Sequence, residues 1–450
     1  MIERRPKTLR VEDKLDSVTN KIDCQRRLYG PRLWGQNRRQ ASSFTNALLL
    51  LGFVCITLHL SLAQARYVVC EDGSGRFETK FSSGVSVSVG AAKSHGLAKR
   101  SCSGGLAWDK RDLPVAAEAS EVDIDVLGVD LGFGMPVVAF QVKKSAADWD
   151  MTYLVYSLKQ SPKLLRTITG GDFFRAADTG LNGKIEIWTG DVGAINGFEG
   201  FLPGEFDFAP TIVLRFEPNR LVDVSAEFRP HFDEQIAAVR TELSAQDLRD
   251  FQGTDGKLGA ASSSPQDRIH GSGVTKIRVT KIKVLEIVWA YLYSGREQEA
   301  WRALADMWPP GDFDRIRAAI LNARARGIHS QVDDVSAGGS RLHFKKRAYI
   351  FDAITDRPQG SEGQFPFVDT RPQAILLRRP PPAGIRAPLA RSEQMIELVI
   401  DAAGKVWSAD PVGDSDKDLS YAAKGWKFIP AFVSGRAVAS RLRMTVSPDL

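Results

Sequence analysis

The chain has few of the residues from which metal centres and nucleophilic active sites are usually built. Its 450 residues include four cysteines and six histidines, and neither a CxxC pair nor an HExxH motif occurs. No GxSxG elbow and no complete Walker or dinucleotide-binding glycine pattern is present. These absences argue against zinc hydrolases, serine hydrolases and nucleotide-dependent enzymes, so we predict no catalytic residue.

Excess positive charge is also missing from most of the chain. The formal net charge is +6, and residues 1–43 account for all of it, with eleven Lys and Arg against five Asp and Glu. Residues 44–65 carry no charge, and the remaining residues hold 49 basic and 49 acidic groups. A neutral body has no long-range field that attracts phosphate, so nucleic-acid binding is not expected.

The uncharged run FTNALLLLGFVCITLHLSLAQA ends in a small-x-small pattern at Ala63-Gln64-Ala65. Signal peptidases cleave after such patterns, so residues 1–65 are predicted to be a leader and signal peptide, with Arg66 as the first mature residue. The alternative is an uncleaved inner-membrane anchor, because the run approaches the ~20 residues that span a bilayer. We expect contact with a membrane only in that second case.

Two cysteines, Cys70 and Cys102, remain after this cleavage. An isolated pair in an oxidising compartment predicts a disulfide, and two free thiols are the alternative.

Residues 66–250 are predicted to form a β-rich domain. RFETKF, VSVSVG, EVDIDVLGV, VVAFQVK, TYLVYSL, KIEIWTG and TIVLRF show alternation or β-branched enrichment. Short spacing between such runs favours an antiparallel sandwich, barrel or blade-like sheet. Residues 223–250 have the apolar spacing of an amphipathic helix.

The middle of the chain is predicted to alternate linkers with helices. Residues 251–275 are a Gly/Ser-rich linker, and 276–330 are a helical hairpin region. Within it, residues 283–327 resemble part of a tetratricopeptide unit, and a plain helical hairpin is the alternative. Residues 331–394 are predicted to be an irregular, Pro-rich linker.

Residues 395–450 are predicted to be a small α+β domain with the order strand, strand, helix, strand. MIELVID and KVWSADPV flank a tight turn, DKDLSYAAKGW is a short helix, and RAVASRLRMTVS is a long alternating strand. The whole chain is therefore predicted to be multidomain.

This last stretch, over residues 395–447, resembles the TonB C-terminal domain family. The resemblance rests on a D-x-x-G-x-V turn, an Ala-containing helix, a W-x-F-x-P-A run, and a short glycine turn before the last strand. In this chain the signature positions are Gly404, Trp426, Phe428, Pro430, Ala431 and Gly435. Their roles are expected to be structural, with the aromatic rings packed beneath the helix and the glycines in turns.

The resemblance implies a partner and a compartment. It implies β-augmentation, in which an edge strand pairs with an extended segment of an outer-membrane or other envelope protein. The predicted protein is thus a periplasmic or envelope-located binding or adaptor protein of a Gram-negative-type bacterium, and not an enzyme. One alternative is a membrane-anchored energy transducer of the TonB family. The short spacer, the inserted domains and the cleavable signal depart from that pattern.

A second alternative is an exported enzyme or carbohydrate-associated protein with its site in residues 66–245. Paired carboxylates would carry the acid–base chemistry. The candidate acidic residues are Asp172, Asp178, Glu186 and Asp191.

The run DTGLNGKIE, beginning at Asp178, resembles calcium loops that place oxygen ligands at alternate positions around a glycine. Asp178, Asn182 and Glu186 are the candidate calcium ligands. An ordinary Asx/Gly hairpin turn is the alternative, and no other cofactor is expected.

Overall fold

The computed structural model describes residues 69–92, 101–206, 208–257, 272–336, 351–354, 394–413 and 417–446. The predicted leader and signal peptide therefore lie outside the described residues. The proline run of the second linker lies outside them as well.

Two antiparallel sheets form the first part of the chain. One is a four-stranded meander, β2-β3-β4-β5, and the other has the order β1-β6-β7-β8-β9. The β-rich N-terminal prediction is confirmed. Their strands are β1 Val69–Glu71, β2 Phe77–Lys80, β3 Ser86–Ala91, β4 Cys102–Trp108, β5 Arg111–Ala119, β6 Glu121–Val129, β7 Val137–Lys143, β8 Met151–Ser157 and β9 Leu164–Gly171.

The two sheets pack face to face over a shared core. Phe77 and Leu106 from the meander meet Val122 and Phe140 from the other sheet. The predicted disulfide between Cys70 on β1 and Cys102 on β4 is present, so it joins one sheet to the other. Both cysteines are fully buried in this core.

A third sheet and six helices cover the other face of the second sheet. The sheet has the order β10-β11-β12-β13-β14, in which only β14 pairs in parallel. Its strands are β10 Arg175–Ala177, β11 Glu186–Gly190, β12 Thr211–Glu217, β13 Arg220–Asp223 and β14 Asp334–Val335. The helices are α1 Val192–Ile195, α2 Arg229–Thr241, α3 Ala245–Gln252, α4 Ser272–Tyr293, α5 Glu297–Met307 and α6 Phe313–Arg326.

One hydrophobic core runs through this whole region. Tyr153 of β8, Trp188 of β11, Trp289 of α4 and Ile320 of α6 all belong to it. The predicted boundary at residues 251–275 therefore separates two stretches of sequence that share one core. The β6 segment EVDIDVLGV is buried along almost its entire length because its sheet is covered on both faces. We call the described part from β1 to β14 the body.

The last part of the chain forms a four-stranded sheet of order β15-β20-β16-β17, a helix, and a separate hairpin. Its elements are β15 Phe351–Ile354, β16 Gln394–Ile400, β17 Val406–Val412, α7 Lys417–Ala423, β18 Ala431–Val433, β19 Arg436–Val438 and β20 Ser440–Val446. We call β16 to β20 with α7 the C-terminal module. It begins with the predicted order of strand, strand and helix, and three strands follow the helix.

Two features of this region differ from the sequence prediction. The final strand, predicted as one long run, is broken at Ala439, because β19 turns back to pair with β18. Residues 331–394, predicted to be irregular, contain β14 and β15. Each of these short strands pairs in parallel with a strand that is distant in sequence. Alternation of residues along the chain does not predict such pairing.

The inter-sheet disulfide generates a stability prediction. Replacing both Cys70 and Cys102 with Ala should lower the free energy of unfolding by about 3–4 kcal/mol, from the entropy of the loop that the bond closes. The measurement is denaturant unfolding of the full chain. A matched variant, Cys24→Ala with Cys55→Ala, should be as stable as the wild type. Equal stability of all three proteins, or alkylation of Cys70 without reductant, would contradict the prediction.

Candidate protein-interaction site

The signature residues of the C-terminal module build its core and turns. Trp426 and Phe428 are buried beside Ala423 of α7 and Leu442 of β20, as predicted for rings beneath the helix. Alternate positions of the same segment point the other way. Ile429, together with Phe432 of β18, lies in the core between the two body sheets. Residues of the W-x-F-x-P-A run therefore contribute to two hydrophobic cores, that of the module and that between the body sheets.

Gly404 and Gly435 have the positive φ angles expected of turn glycines, +81° and +75°. A Cβ at Gly404 would lie 1.8 Å from the carbonyl oxygen of Phe428, so this close approach requires glycine. The Phe428 amide donates to the Gly404 carbonyl at 2.7 Å, and Pro430 packs against the same turn. The next residue, Ala431, is fully buried and begins β18.

The side chains of two lysines of the module extend into the body and form ion pairs with aspartates of β6. Lys405 Nζ lies 2.5 Å from Asp125 Oδ1 and 2.5 Å from the Asp125 carbonyl oxygen. The other oxygen of Asp125 accepts from the Tyr153 hydroxyl and the Ala176 amide, both at 2.8 Å. Burial lowers the pKa of Lys405, and the neighbouring carboxylate of Asp125 opposes that shift.

The second lysine, Lys427, lies between the two signature rings in sequence. Its Nζ is 2.8 Å from both oxygens of Asp123 and 2.9 Å from the Ile124 carbonyl oxygen. Gln141 of β7 donates to the same carboxylate at 2.8 Å. We call the two pairs, Lys405–Asp125 and Lys427–Asp123, the latch. Charges that are shielded from water and paired in this way favour one relative placement of module and body.

A cluster of carboxyl groups lies beside the latch. Asp401 Oδ1 accepts from the amides of Ala403 and Lys405, and Asp401 Oδ2 accepts from the Asp178 amide at 3.0 Å. Burial and the nearby Asp401 raise the pKa of Asp178 to about 8. Burial also raises the pKa of Asp401 and lowers that of the adjacent, half-buried Arg175.

The candidate calcium ligands lie in this cluster, and protein groups already engage their oxygens. The two oxygens of Asp178 accept from the amides of Asn182 and Gly183 at 2.8 and 2.7 Å. Glu186 forms a buried ion pair with Arg215 at 2.8 Å. Asn182 Oδ1 accepts from the Lys184 amide, which is the Asx-turn arrangement. Across the described residues, no group of three or more His, Cys, Asp or Glu side chains is arranged to hold a metal ion.

The remaining acidic candidates also serve as acceptors within the fold. Asp172 accepts from the Gly190 amide at 2.7 Å. Asp191 accepts from the Tyr293 hydroxyl at 2.7 Å and from the Ile328 amide at 2.9 Å, so it ties three elements together. An open depression of about 490 Å³ lies elsewhere, beside Gly295 and Trp301. These acids therefore have structural partners and do not line that depression.

The two edges of the C-terminal sheet differ. On the β17 side, Asp410 and Pro411 are exposed, and α7 packs against the strand. Charge and proline at an edge discourage the addition of another strand. On the other side, β15 pairs in parallel with Ser440–Arg443 of β20. The β20 side is thus the edge at which a strand is already accommodated.

Sequence reasoning missed Lys405, Lys427, Asp123 and Asp125 as a set. One signal was available, because EVDIDV places two aspartates at alternate positions of an otherwise apolar strand. Buried charges of that kind need partners, although the sequence does not say which lysines supply them.

Comparison with protein-family models, with curated proteins and with solved structures gave no match. Among the residues that the structure describes, no helix is long and apolar enough to cross a membrane.

Removing one ion pair of the latch should lower the free energy of unfolding. Lys405→Met should lower the free energy of unfolding by about 3–5 kcal/mol, because Asp125 would remain buried without its cation. Adding Asp125→Asn should recover part of that loss, since the amide oxygen can still accept from Tyr153. Denaturant unfolding measures both, with Lys424→Met, an exposed lysine of the same module, as the matched control. Losses that simply add in the double variant would contradict direct pairing.

The carboxyl cluster should make the stability of the folded protein fall as pH rises toward 8. Unfolded Asp178 ionises near its ordinary pKa of 3.8, whereas folded Asp178 holds its proton to about pH 8. The free-energy cost that the raised pKa of Asp178 adds to folding is therefore absent below pH 4. It grows as pH rises and reaches its full value above pH 8. Its slope is at most about 1.4 kcal/mol per pH unit for one group. Glu186, with a pKa raised by burial to about 7, acts in the same direction.

Unfolding free energies measured from pH 5 to pH 8 should fall for the wild type and fall less for Asp178→Asn. Asp333→Asn is the matched control. The Leu221 amide lowers the pKa of Asp333, so this residue loses its contribution only in acid. Identical slopes for Asp178→Asn and the wild type would show that Asp178 is ionised in the folded protein.

Proposed function

We propose that this chain is an exported, periplasm-facing protein-binding protein that engages an envelope or outer-membrane partner through the sheet of its C-terminal module. The observation that carries the proposal is the module of two strands, a helix and three further strands, with Trp426 and Phe428 in its core and Gly404 in its turn. That arrangement supports the resemblance to TonB C-terminal domains, whose mode of recognition is strand addition.

Two further observations support the export part of the proposal. Cys70 and Cys102 form a disulfide, a bond that persists in oxidising compartments such as the periplasm. The predicted signal peptide ends only a few residues before Cys70. Together they favour a protein that folds after translocation.

The latch bears on the choice between an adaptor and an energy transducer. A transducer needs a module that travels on a long spacer to reach its partner. Here Lys405 and Lys427 hold the module against β6, and Ile429 and Phe432 enter the core of the body. A module held in this way presents its edge at a fixed place on a larger body, which favours the adaptor.

The test is capture of partners by the full-length chain from detergent-solubilised envelopes, followed by mass spectrometry. The wild type should enrich one or a few outer-membrane or periplasmic proteins. Arg441→Glu changes the charge beside the proposed edge and should reduce capture at least fivefold. Arg436→Glu, an exposed position in the β18–β19 hairpin, should not reduce it. Failure of the wild type to enrich any envelope protein would remove the proposed function.

A further inference from the structure

The two most exposed large apolar side chains of the described residues belong to two adjoining turns of the body. Trp149, between β7 and β8, is 51% exposed, and Leu202, at the start of the turn Pro203–Glu205, is 59% exposed. The turns meet where the Trp149 ring lies against Gly204. Apolar side chains scattered singly over a surface need no explanation, but a group of them on adjoining turns marks a surface of contact. We call Trp149, Leu202 and Gly204 the aromatic platform.

The indole ring of Trp149 turns one face to the protein and the other to solvent. A Cβ at Gly204 would lie 2.2 Å from Cη2 of Trp149, and 2.7 and 2.8 Å from Cζ2 and Cζ3, the two ring atoms bonded to Cη2. Such similar distances place this point above the plane of the ring, because a point beyond the ring edge would be farther from both neighbours. Gly204 therefore lies beneath one face of the ring. Since half of Trp149 is exposed, solvent reaches the opposite face.

Both turns are held by hydrogen bonds that do not involve the ring. Asp148 Oδ2 accepts from the Ser145 amide at 2.9 Å, which closes the turn between β7 and β8. Glu205 Oε2 accepts from the Leu202 amide at 2.7 Å, and Glu205 also forms an ion pair with Arg278 of α4. A ring on such a support loses little further freedom when a ligand stacks on it. The platform is therefore organised before a ligand arrives.

The charges around the platform disfavour an anionic ligand. Arg278, the cation of the supporting turn, is already paired with Glu205. Asp148 and Asp150 stand on either side of Trp149 in sequence, and neither forms an ion pair with another described residue. These carboxylates would repel a phosphate group or an acidic lipid. Carboxylate oxygens accept hydrogen bonds from hydroxyl groups, so a neutral ligand rich in hydroxyl groups fits this surface.

From these observations we propose that the aromatic platform binds a neutral glycan, one pyranose ring of which stacks on the open face of Trp149. A pyranose has a flat face of weakly positive C–H groups, and the face of an indole ring is the negative part of its quadrupole. The hydroxyl groups at the rim of the sugar are matched by the acceptors Asp148 and Asp150. A ring that lies flat on the protein does not project into a bilayer, so a glycan fits better than a membrane surface. This site goes beyond the proposed function, because its residues belong to the body and not to the C-terminal module.

The test is a ligand-observed NMR titration of the full-length chain with three soluble tetrasaccharides, namely cellotetraose, maltotetraose and tetra-N-acetylchitotetraose. At least one should bind the wild type with a dissociation constant in the millimolar range, because one stacked ring supplies little binding energy. Trp149→Ala should weaken that binding at least tenfold. Leu164→Ala is the matched control, since Leu164 on β9 is a comparably exposed apolar side chain, at 49%, and its removal should leave the affinity unchanged.

A second variant tests the geometry of the ring and not merely its presence. In Gly204→Ala the new Cβ occupies the place of the Trp149 ring, so the ring must move away from its support. Because the atoms that move are the end of an exposed side chain, the fold should be kept, and thermal melts check this. The affinity for the tetrasaccharide should fall at least threefold although Trp149 is still present.

Two results would overturn the glycan site. One is the absence of binding of all three tetrasaccharides to the wild type at millimolar concentrations, and the other is equal affinity of the wild type and Trp149→Ala. Co-sedimentation of the wild type, but not of Trp149→Ala, with phosphatidylcholine vesicles would also overturn it if no tetrasaccharide binds. That outcome would assign the platform to a membrane surface.

Discussion

The placement of the C-terminal module depends on two lysines that pair with aspartates of strand β6, one of them buried and the other half-buried. Lys405 is buried and Lys427 is half-buried where the module meets the body, and an ammonium group removed from water needs a set of acceptors on the protein. Strand β6 supplies that set through Asp123, Asp125 and two of its own carbonyl oxygens. Since the acceptors are fixed by β6 and its neighbours, the module has one position.

Apolar contacts alone would not give the same specificity. Ile429 and Phe432 contribute burial to the core between the body sheets, but the hydrophobic effect has no direction and tolerates small rotations. The ion pairs do not tolerate such rotations, because a displaced lysine would leave a buried carboxylate without a cation. The latch therefore orients the module, and the apolar contacts add buried surface. This division of roles explains why the body and the module are not independent units on a flexible spacer.

The features that could be predicted from the sequence are those that depend on residues close together in the chain. The strands of the body, the first three elements of the C-terminal module and the pairing of Cys70 with Cys102 were predictable, because alternation, turn residues and cysteine number are local or countable properties. Lys405 and Asp125 are 280 residues apart, and no sequence pattern joins them. For the same reason the shared core across residues 251–275 and the parallel strand β15 were missed. The spacing around Asp178 allows both a calcium loop and an Asx/Gly turn, and in the structure the oxygens of Asp178 accept the backbone amides of Asn182 and Gly183.

The proposed edge and the latch are close to each other along the structure. Ser440, the first residue of β20, pairs with Phe351 on one side and with Ile400 on the other. Ile400 precedes Asp401, which organises the turn that carries Lys405 and accepts from the Asp178 amide. Strand β15 therefore begins within a few residues of the charges that hold the module on the body. Continuity of contacts is not itself coupling, which exists only as a difference in free energy between bound and unbound states. The path comprises two hydrogen-bonded strands and one turn, and Asp401 of that turn accepts the amide of Asp178, whose pKa burial raises to about 8.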